Sequence, residues 1–160
     1  MSAVQTLGLS VAIPGADVLR LRHLLVDFNG TLAQDGQLIA GVAERLVALS
    51  RVLEVDVLTG DTYGTVAQAL SGLPVRHTVV RTGADKTACA RSLLDAGVAA
   101  IGNGRNDVDM LRAATLGVAV IGPECSHALT LTAAQLVAPG ILAALDLFLQ
   151  PQRLIAGLRP

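Results

Sequence analysis

Along the chain, short unbroken apolar runs alternate with stretches whose apolar residues recur every third or fourth position. The runs cover residues 21–28, 55–59, 78–81, 99–102 and 118–121, and runs of this kind predict strands buried on both faces. Between them Val42, Leu46, Leu49 and Leu53, and then Val66, Leu70 and Leu73, keep helical spacing, so those intervals predict helices with one buried face. The alternation predicts an α/β domain in which helices cover both faces of a parallel sheet. Ahead of it, residues 11–13 and 18–21 flank Pro14-Gly15 and predict an N-terminal β-hairpin. Residues 32–38 contain Asp35-Gly36, which reads either as a small hairpin flap or as a plain connecting turn. Residues 141–158 predict a helix interrupted near Pro151.

Length and composition narrow this picture. At 160 residues, 52% hydrophobic and 16% charged, the chain predicts one domain: an N-terminal hairpin over 1–20, a motif-bearing core over 21–139 and a helical segment over 140–160. Residues 129–149 are apolar enough to raise a membrane span, but Thr130, Thr132, Gln135, Pro139, Gly140 and Asp146 interrupt them, which predicts buried core and no membrane partner. The net charge of -1, with Lys and Arg scattered, gives nucleic-acid binding no electrostatic support. Cys89 and Cys125 match no metal spacing and read as reduced core fillers. With no leader pattern at the N-terminus, a cytoplasmic protein is expected. A mean hydropathy of +0.57 favours self-association as a homo-oligomer.

Candidate chemistry gathers at the ends of the predicted strands, where open α/β sheets bind ligands. The first ends in Asp27-Phe28-Asn29-Gly30-Thr31, where Asp27 is either a turn cap or a carboxylate presented to a ligand. The second ends in Thr59-Gly60-Asp61, which offers a hydroxyl and backbone N–H groups to phosphate at a helix start, or else an ordinary cap by Asp61 or Thr62. Lys86, in Ala84-Asp85-Lys86, falls in a first helical turn, where a lysine is usually solvated and the helix dipole opposes it; a bound anion would account for it. The fourth strand ends in Gly102-Asn103-Gly104-Arg105-Asn106-Asp107, whose hard oxygen donors suit magnesium and whose glycine spacing excludes a dinucleotide fingerprint. His23, His77 and His127 join no constellation and read as structural or surface residues, and Arg105 either touches substrate or is solvated.

The order and spacing of DFNGT, LTGD, ADK, GNGRND and GVAVIG resemble the phosphorylation domain of P-type ATPases. The chain is thereby similar to the soluble P-type ATPase-like hydrolases of the haloacid dehalogenase superfamily, over residues 21–139. The resemblance implies a three-layer α/β/α Rossmann-like core and a magnesium-dependent hydrolase or phosphatase acting on a phosphorylated substrate. Asp27 would be the nucleophile that forms an aspartyl phosphate. Thr59, Gly60 and Lys86 would hold the phosphate, and Asp27, Asn29 (through its backbone carbonyl), Asn103 and Asp107 would hold Mg2+. Lys86 would neutralise charge on the Asp27 carboxylate and on the transferring group, so its loss is expected to weaken phosphate binding and leave the fold intact.

Two departures modify that expectation. Phosphatases of the superfamily place a second Asp two residues after the nucleophile as general acid and base; Asn29 stands there and exchanges no proton, which predicts slow turnover of alkyl phosphates. Asn103 replaces the usual Asp of the fourth motif and removes one negative charge from the metal site. The intervals between motifs leave room for neither a pump's nucleotide domain nor a cap, so ion pumping is excluded and an open, capless site is expected. A catalytically weak phosphate-binding or regulatory protein is the alternative, and metal-free dehalogenation a third.

Overall fold

The computed structural model describes residues 7–61 and 64–160. The expected N-terminal hairpin is present but its first strand lies two residues earlier than 11–13: β1 (Leu9–Val11) pairs with β2 (Leu19–Leu21), Leu9 opposite Leu21. The chain then enters β3 (His23–Asp27), so the single apolar run read over 21–28 is divided between two sheets. At the joint, the N–H groups of Arg22 and His23 both donate to the Gly97 carbonyl, and the Arg22 carbonyl accepts from Glu54 N–H. Hydrophobicity continues across this joint, and only the hydrogen-bond partners change.

After β3 come β4 (Ala33–Gln34) and β5 (Gln37–Leu38), the flap read as one of two alternatives, with Asp35 and Gly36 at its tip both at positive φ. Then follow α1 (Val42–Leu49), β6 (Glu54–Thr59), α2 (Val66–Ala69), β7 (Arg76–Val79), α3 (Gly83–Ser92), β8 (Val98–Gly102), α4 (Val108–Ala113), β9 (Leu116–Val120), α5 (Ala128–Ala133), β10 (Leu136–Ala138), α6 (Ile141–Leu149) and α7 (Pro151–Leu158). The six-stranded sheet has the order β10-β9-β8-β3-β6-β7 and every pair in it is parallel. The strand after residue 75 begins at Arg76, not at Thr78, and all four of its residues are exposed. The strand β10 was not expected at all.

Alternation along the strands feeds two cores. Leu24, Val26, Val57 and Ile101 point to one face, covered by Leu46 and Leu49 of α1 and by Leu145 and Phe148 of α6. Leu25, Leu58, Ala100 and Ala119 point to the other, covered by Ala90 of α3 and by Met110 and Leu111 of α4. The architecture is the three-layer α/β/α sandwich. The C-terminal helical segment breaks where expected: α6 and α7 meet at 102°, with Pro151 at the first position of α7, where its missing N–H costs nothing. Among the described residues no single helix is long and apolar enough to cross a membrane.

Candidate active site

The chain runs outward through β3, β6 and β7, then returns to lay β8 on the other side of β3. That reversal opens a crevice beyond the carboxyl ends of β3 and β8. Asp27 is the last residue of β3, and Gly102, which precedes the Asn103–Asp107 segment, is the last of β8. Two of the motifs are therefore neighbours across the switch point.

The start of α3 delivers the third. Thr82 and Asp85 form a capping box: Thr82 Oγ1 accepts from the Asp85 N–H at 3.2 Å, and the Asp85 carboxylate accepts from the N–H groups of Thr82 and Arg81 at 2.9 and 3.0 Å. Those bonds hold the Asp85 carboxyl below its ordinary pKa, the Thr82 N–H first. With the helix so fixed, Lys86, Thr87 and Ala90 face inward. Lys86 is 1% exposed, and its Nζ lies 2.6 Å from Asp27 Oδ1 and 2.7 Å from Asp107 Oδ1. The lysine for which sequence offered solvation or an anionic partner is buried between two carboxylates, one of them the Asp27 partner that the resemblance implied.

The other carboxylate oxygens are also engaged. Asp107 Oδ2 accepts from the N–H groups of Asn103 and Gly104 at 3.1 and 2.9 Å. Thr31 Oγ1 lies 3.1 Å from Asp27 Oδ2 and 3.0 Å from Asn103 Oδ1, and its one proton serves one of them at a time. Gly30, at φ +75°, turns the chain back so that Thr31 reaches Asp27, and a Cβ there would lie 2.6 Å from Asn103 Nδ2. Asn103 Nδ2 in turn donates to the Cys125 carbonyl at 2.9 Å.

Burial first, and then the Asp107 charge, push the Asp27 carboxyl up to about 7 against the pull of Lys86 and Thr31. For Lys86, burial alone would lower the pKa; the Asp27 and Asp107 charges outweigh it and hold the ammonium above its ordinary value. Gly102 keeps the carboxylates close, since a Cβ on it would sit 2.5 Å from Asp107 Cγ. Gly102→Ala is expected to shift Asp107 and to cost about 1–3 kcal/mol of stability by overpacking, read as a lower urea midpoint.

The remaining sequence candidates divide. Thr59, the last residue of β6, is buried at the same edge of the sheet, but its Oγ1 accepts from the Asp61 N–H at 2.9 Å. Gly60 and Asp61 lie in no helix, and the next helix among the described residues, α2, begins at Val66, so the N–H groups of Gly60 and Asp61 are not those of a helix terminus. Asp61, at φ 50°, caps weakly through Oδ1 to the Val66 N–H at 3.4 Å; Thr62 lies outside the described residues. The Asn29 Oδ1 is buried with no hydrogen-bond partner among the described residues. Arg105 is exposed. His23 is buried beside Glu54, His77 is exposed on β7, and His127 caps α5 by accepting from the Leu129 N–H.

Sequence reasoning missed Thr31 and the 122–127 loop. The hydroxyl four residues after Asp27, beyond a glycine, was the available signal for Thr31; the Cys125 carbonyl left none.

No protein-family profile matches the sequence. An uncharacterized protein of Methanocaldococcus jannaschii is 44% identical over 62 residues, 39% of this chain and 67% of the relative. Among solved structures, the 3-deoxy-D-manno-octulosonate 8-phosphate phosphatase of Moraxella catarrhalis, in complex with magnesium, phosphate and KDO, superposes with a TM-score of 0.69 at 16% identity, covering 85% of this chain and 90% of that one. A HAD-family hydrolase of Streptomyces avermitilis gives 0.67 at 18% identity, covering 82% and 87%. A zinc-transporting PIB-type ATPase gives 0.62 at 23% identity over 74% of this chain and 20% of the pump.

Proposed function

We propose that the chain, whose fold is that of the haloacid dehalogenase-type phosphatases and hydrolases it superposes on, is a member of that superfamily and a magnesium-dependent phosphatase acting through an aspartyl phosphate on Asp27. The observation that carries this reading is the buried Lys86 ammonium, 2.6 and 2.7 Å from the Asp27 and Asp107 carboxylates at the crevice of the sheet. Two carboxylates drawn onto one point form a donor set that magnesium accepts: one or two carboxylates, with waters and phosphate oxygens completing the shell. Asp27 and Asp107 would hold the ion with the Asn29 carbonyl and Asn103 Oδ1, and the ion, when bound, would neutralise charge on the transferring group.

In this reading an Asp27 oxygen attacks phosphorus, the bond to the leaving oxygen breaks, and water then hydrolyses the acyl phosphate to regenerate Asp27. Lys86 balances the charge of the phosphoryl oxygens, which Thr59 and the Gly60 N–H also meet. Soaking crystals with magnesium and beryllium fluoride tests it: density joined to Asp27 is expected, and its absence at saturating ligand overturns the assignment.

The Asn29 amide favours a second reading, a phosphate-binding protein of low turnover, because no carboxylate stands at that position to move a proton. A substrate screen with magnesium separates the two. General acid and base assistance is worth roughly 100-fold to 10,000-fold, so aryl and acyl phosphates are expected to be hydrolysed faster than alkyl phosphates. Asn29→Asp should raise kcat/KM most for the alkyl ester. An aryl-to-alkyl ratio that the substitution leaves unchanged would place the proton donor elsewhere.

A further inference from the structure

Two exposed arginines stand where the segment of Lys86 meets the segment of Asp107. Arg81 leads into the capping box of α3, and Arg105 opens the turn that carries Asp107. The two segments are pressed together: a Cβ on Gly83 would lie 2.7 Å from the Asn106 carbonyl oxygen and 3.1 Å from the Asn106 Cα. Arg81 precedes Gly83 by two residues and Arg105 precedes Asn106 by one. At about 3.8 Å between consecutive Cα atoms, two side chains as long as these can reach a common anion at the carboxyl edge of the sheet.

Neither arginine forms an ion pair among the described residues. The acids beside them in sequence are already occupied. Asp85 accepts from the N–H groups of Arg81 and Thr82, and Asp107 accepts from Lys86 and from the N–H groups of Asn103 and Gly104. The flap side of the crevice has the opposite sign, since Glu124 Oε2 accepts from the Asp35 N–H at 3.1 Å and so brings a second acidic residue beside it. The rim is therefore divided, cationic where α3 meets the 105–107 turn and anionic where the flap meets the 122–127 loop. Arg20, Arg51, Arg91 and Arg159 also lack an acidic partner, but they belong to the hairpin and to the ends of α1, α3 and α7.

We infer that Arg81 and Arg105 form a subsite for a second oxyanion on the leaving side of the substrate, so that the protein prefers phosphate esters of acidic alcohols to those of neutral ones. The inference rests on the phosphatase reading above and names its substrate class. A guanidinium presents its N–H donors as a planar fork that matches two oxygens of a carboxylate or phosphate, and it stays charged throughout the working pH range. Lys86, buried on Asp27, serves the transferring phosphoryl group, which leaves the exposed pair to meet whatever that group is attached to.

The test compares phenyl phosphates bearing a carboxylate or a phosphonate, at the meta or para position, with the matching carboxamides, which keep the carboxylate's shape without its charge. With Mg2+ saturating, kcat/KM for the charged ester is expected to exceed that for the amide by about 10-fold or more, the worth of one charge-assisted hydrogen bond, and the larger of the two preferences names the oxyanion. Arg81→Ala and Arg105→Ala should each bring this ratio toward one, through KM more than kcat. Arg105→Lys should keep part of it, having the charge without the fork. Arg91→Ala, which removes the same charge at the far end of α3, should retain the full ratio. If turnover is slow, the same ratios are read from calorimetric Kd values of the intact esters. Equal values for charged and amide esters overturn the inference, as does a ratio that survives both alanine variants or falls as far in Arg91→Ala. Failure of every ester to be hydrolysed or bound in the presence of Mg2+ instead overturns the phosphatase reading beneath it.

Discussion

Asp27→Asn is expected to abolish phosphoenzyme formation and to lower metal-dependent phosphatase activity by at least about 10,000-fold, while making the metal-free protein more stable at neutral pH. The two effects have one origin. Asp27 shares a single ammonium with Asp107, so its ionised form is a buried charge only half balanced, and its carboxyl is pushed from 3.8 up to about 7. A carboxyl whose pKa is higher in the folded than in the unfolded chain binds more protons when folded, so its ionisation takes stability away as pH rises from about 4 to about 7. An amide mimics the neutral form and leaves Lys86 and Asp107 as a matched pair. Thermal midpoints in chelator, compared between the two proteins, should coincide near pH 4 and diverge in favour of Asp27→Asn up to pH 7, above which the gap is constant. Acid-quenched trapping of labelled phosphate supplies the other half. Retained turnover would remove Asp27 from the mechanism, and a less stable variant at pH 8 would mean that Lys86 more than compensates both carboxylates.

What the sequence disclosed follows from which features are local. Strands β3, β8 and β9 are buried throughout and β6 is buried from Val57 to Thr59, and three of the motifs stand at the ends of β3, β6 and β8, so hydrophobicity alone places Asp27, Thr59 and Asn103 at one edge of the sheet. The edge strand β7 is Arg-His-Thr-Val, fully exposed, and carries no such signal. The strand β10 is three residues between Gln135 and Pro139, too short for either period to show. Helices α4 and α5 have six residues each and owe their existence to packing rather than to pattern. At the site, the missing information was again non-local. The burial of Lys86 depends on α3 packing against the sheet, and the Cys125 carbonyl reaches Asn103 across 22 residues of chain. For the TGD segment a helix was expected to follow directly, and the next helix among the described residues is α2, from Val66.

Lys86→Ala tests the point where the structure most changes the expectation from sequence. A solvated lysine acting on phosphate would be removed at no cost to the fold; a lysine 1% exposed between two carboxylates would not. Its loss leaves Asp27 and Asp107 facing each other without a cation, and breaking a buried pair by removing one partner typically costs about 3–5 kcal/mol. The size of the loss should depend on what else neutralises the pair. Removing the ammonium raises the affinity of Asp27 for a proton still further, so the destabilisation is expected to be small near pH 4, where a proton takes its place, and to grow as pH rises toward 8. Mg2+ at pH 8 should recover much of the loss, because it binds the folded carboxylate pair and not the unfolded chain. Phosphate binding should remain weak even then, since the ion replaces the charge of Lys86 but not its hydrogen bonds to the anion. Urea titrations at pH 5 and pH 8, with and without Mg2+, read all of this. A loss that is the same at both pH values and indifferent to Mg2+ would show that Lys86 supports the fold through burial of its methylene chain rather than through charge at the site.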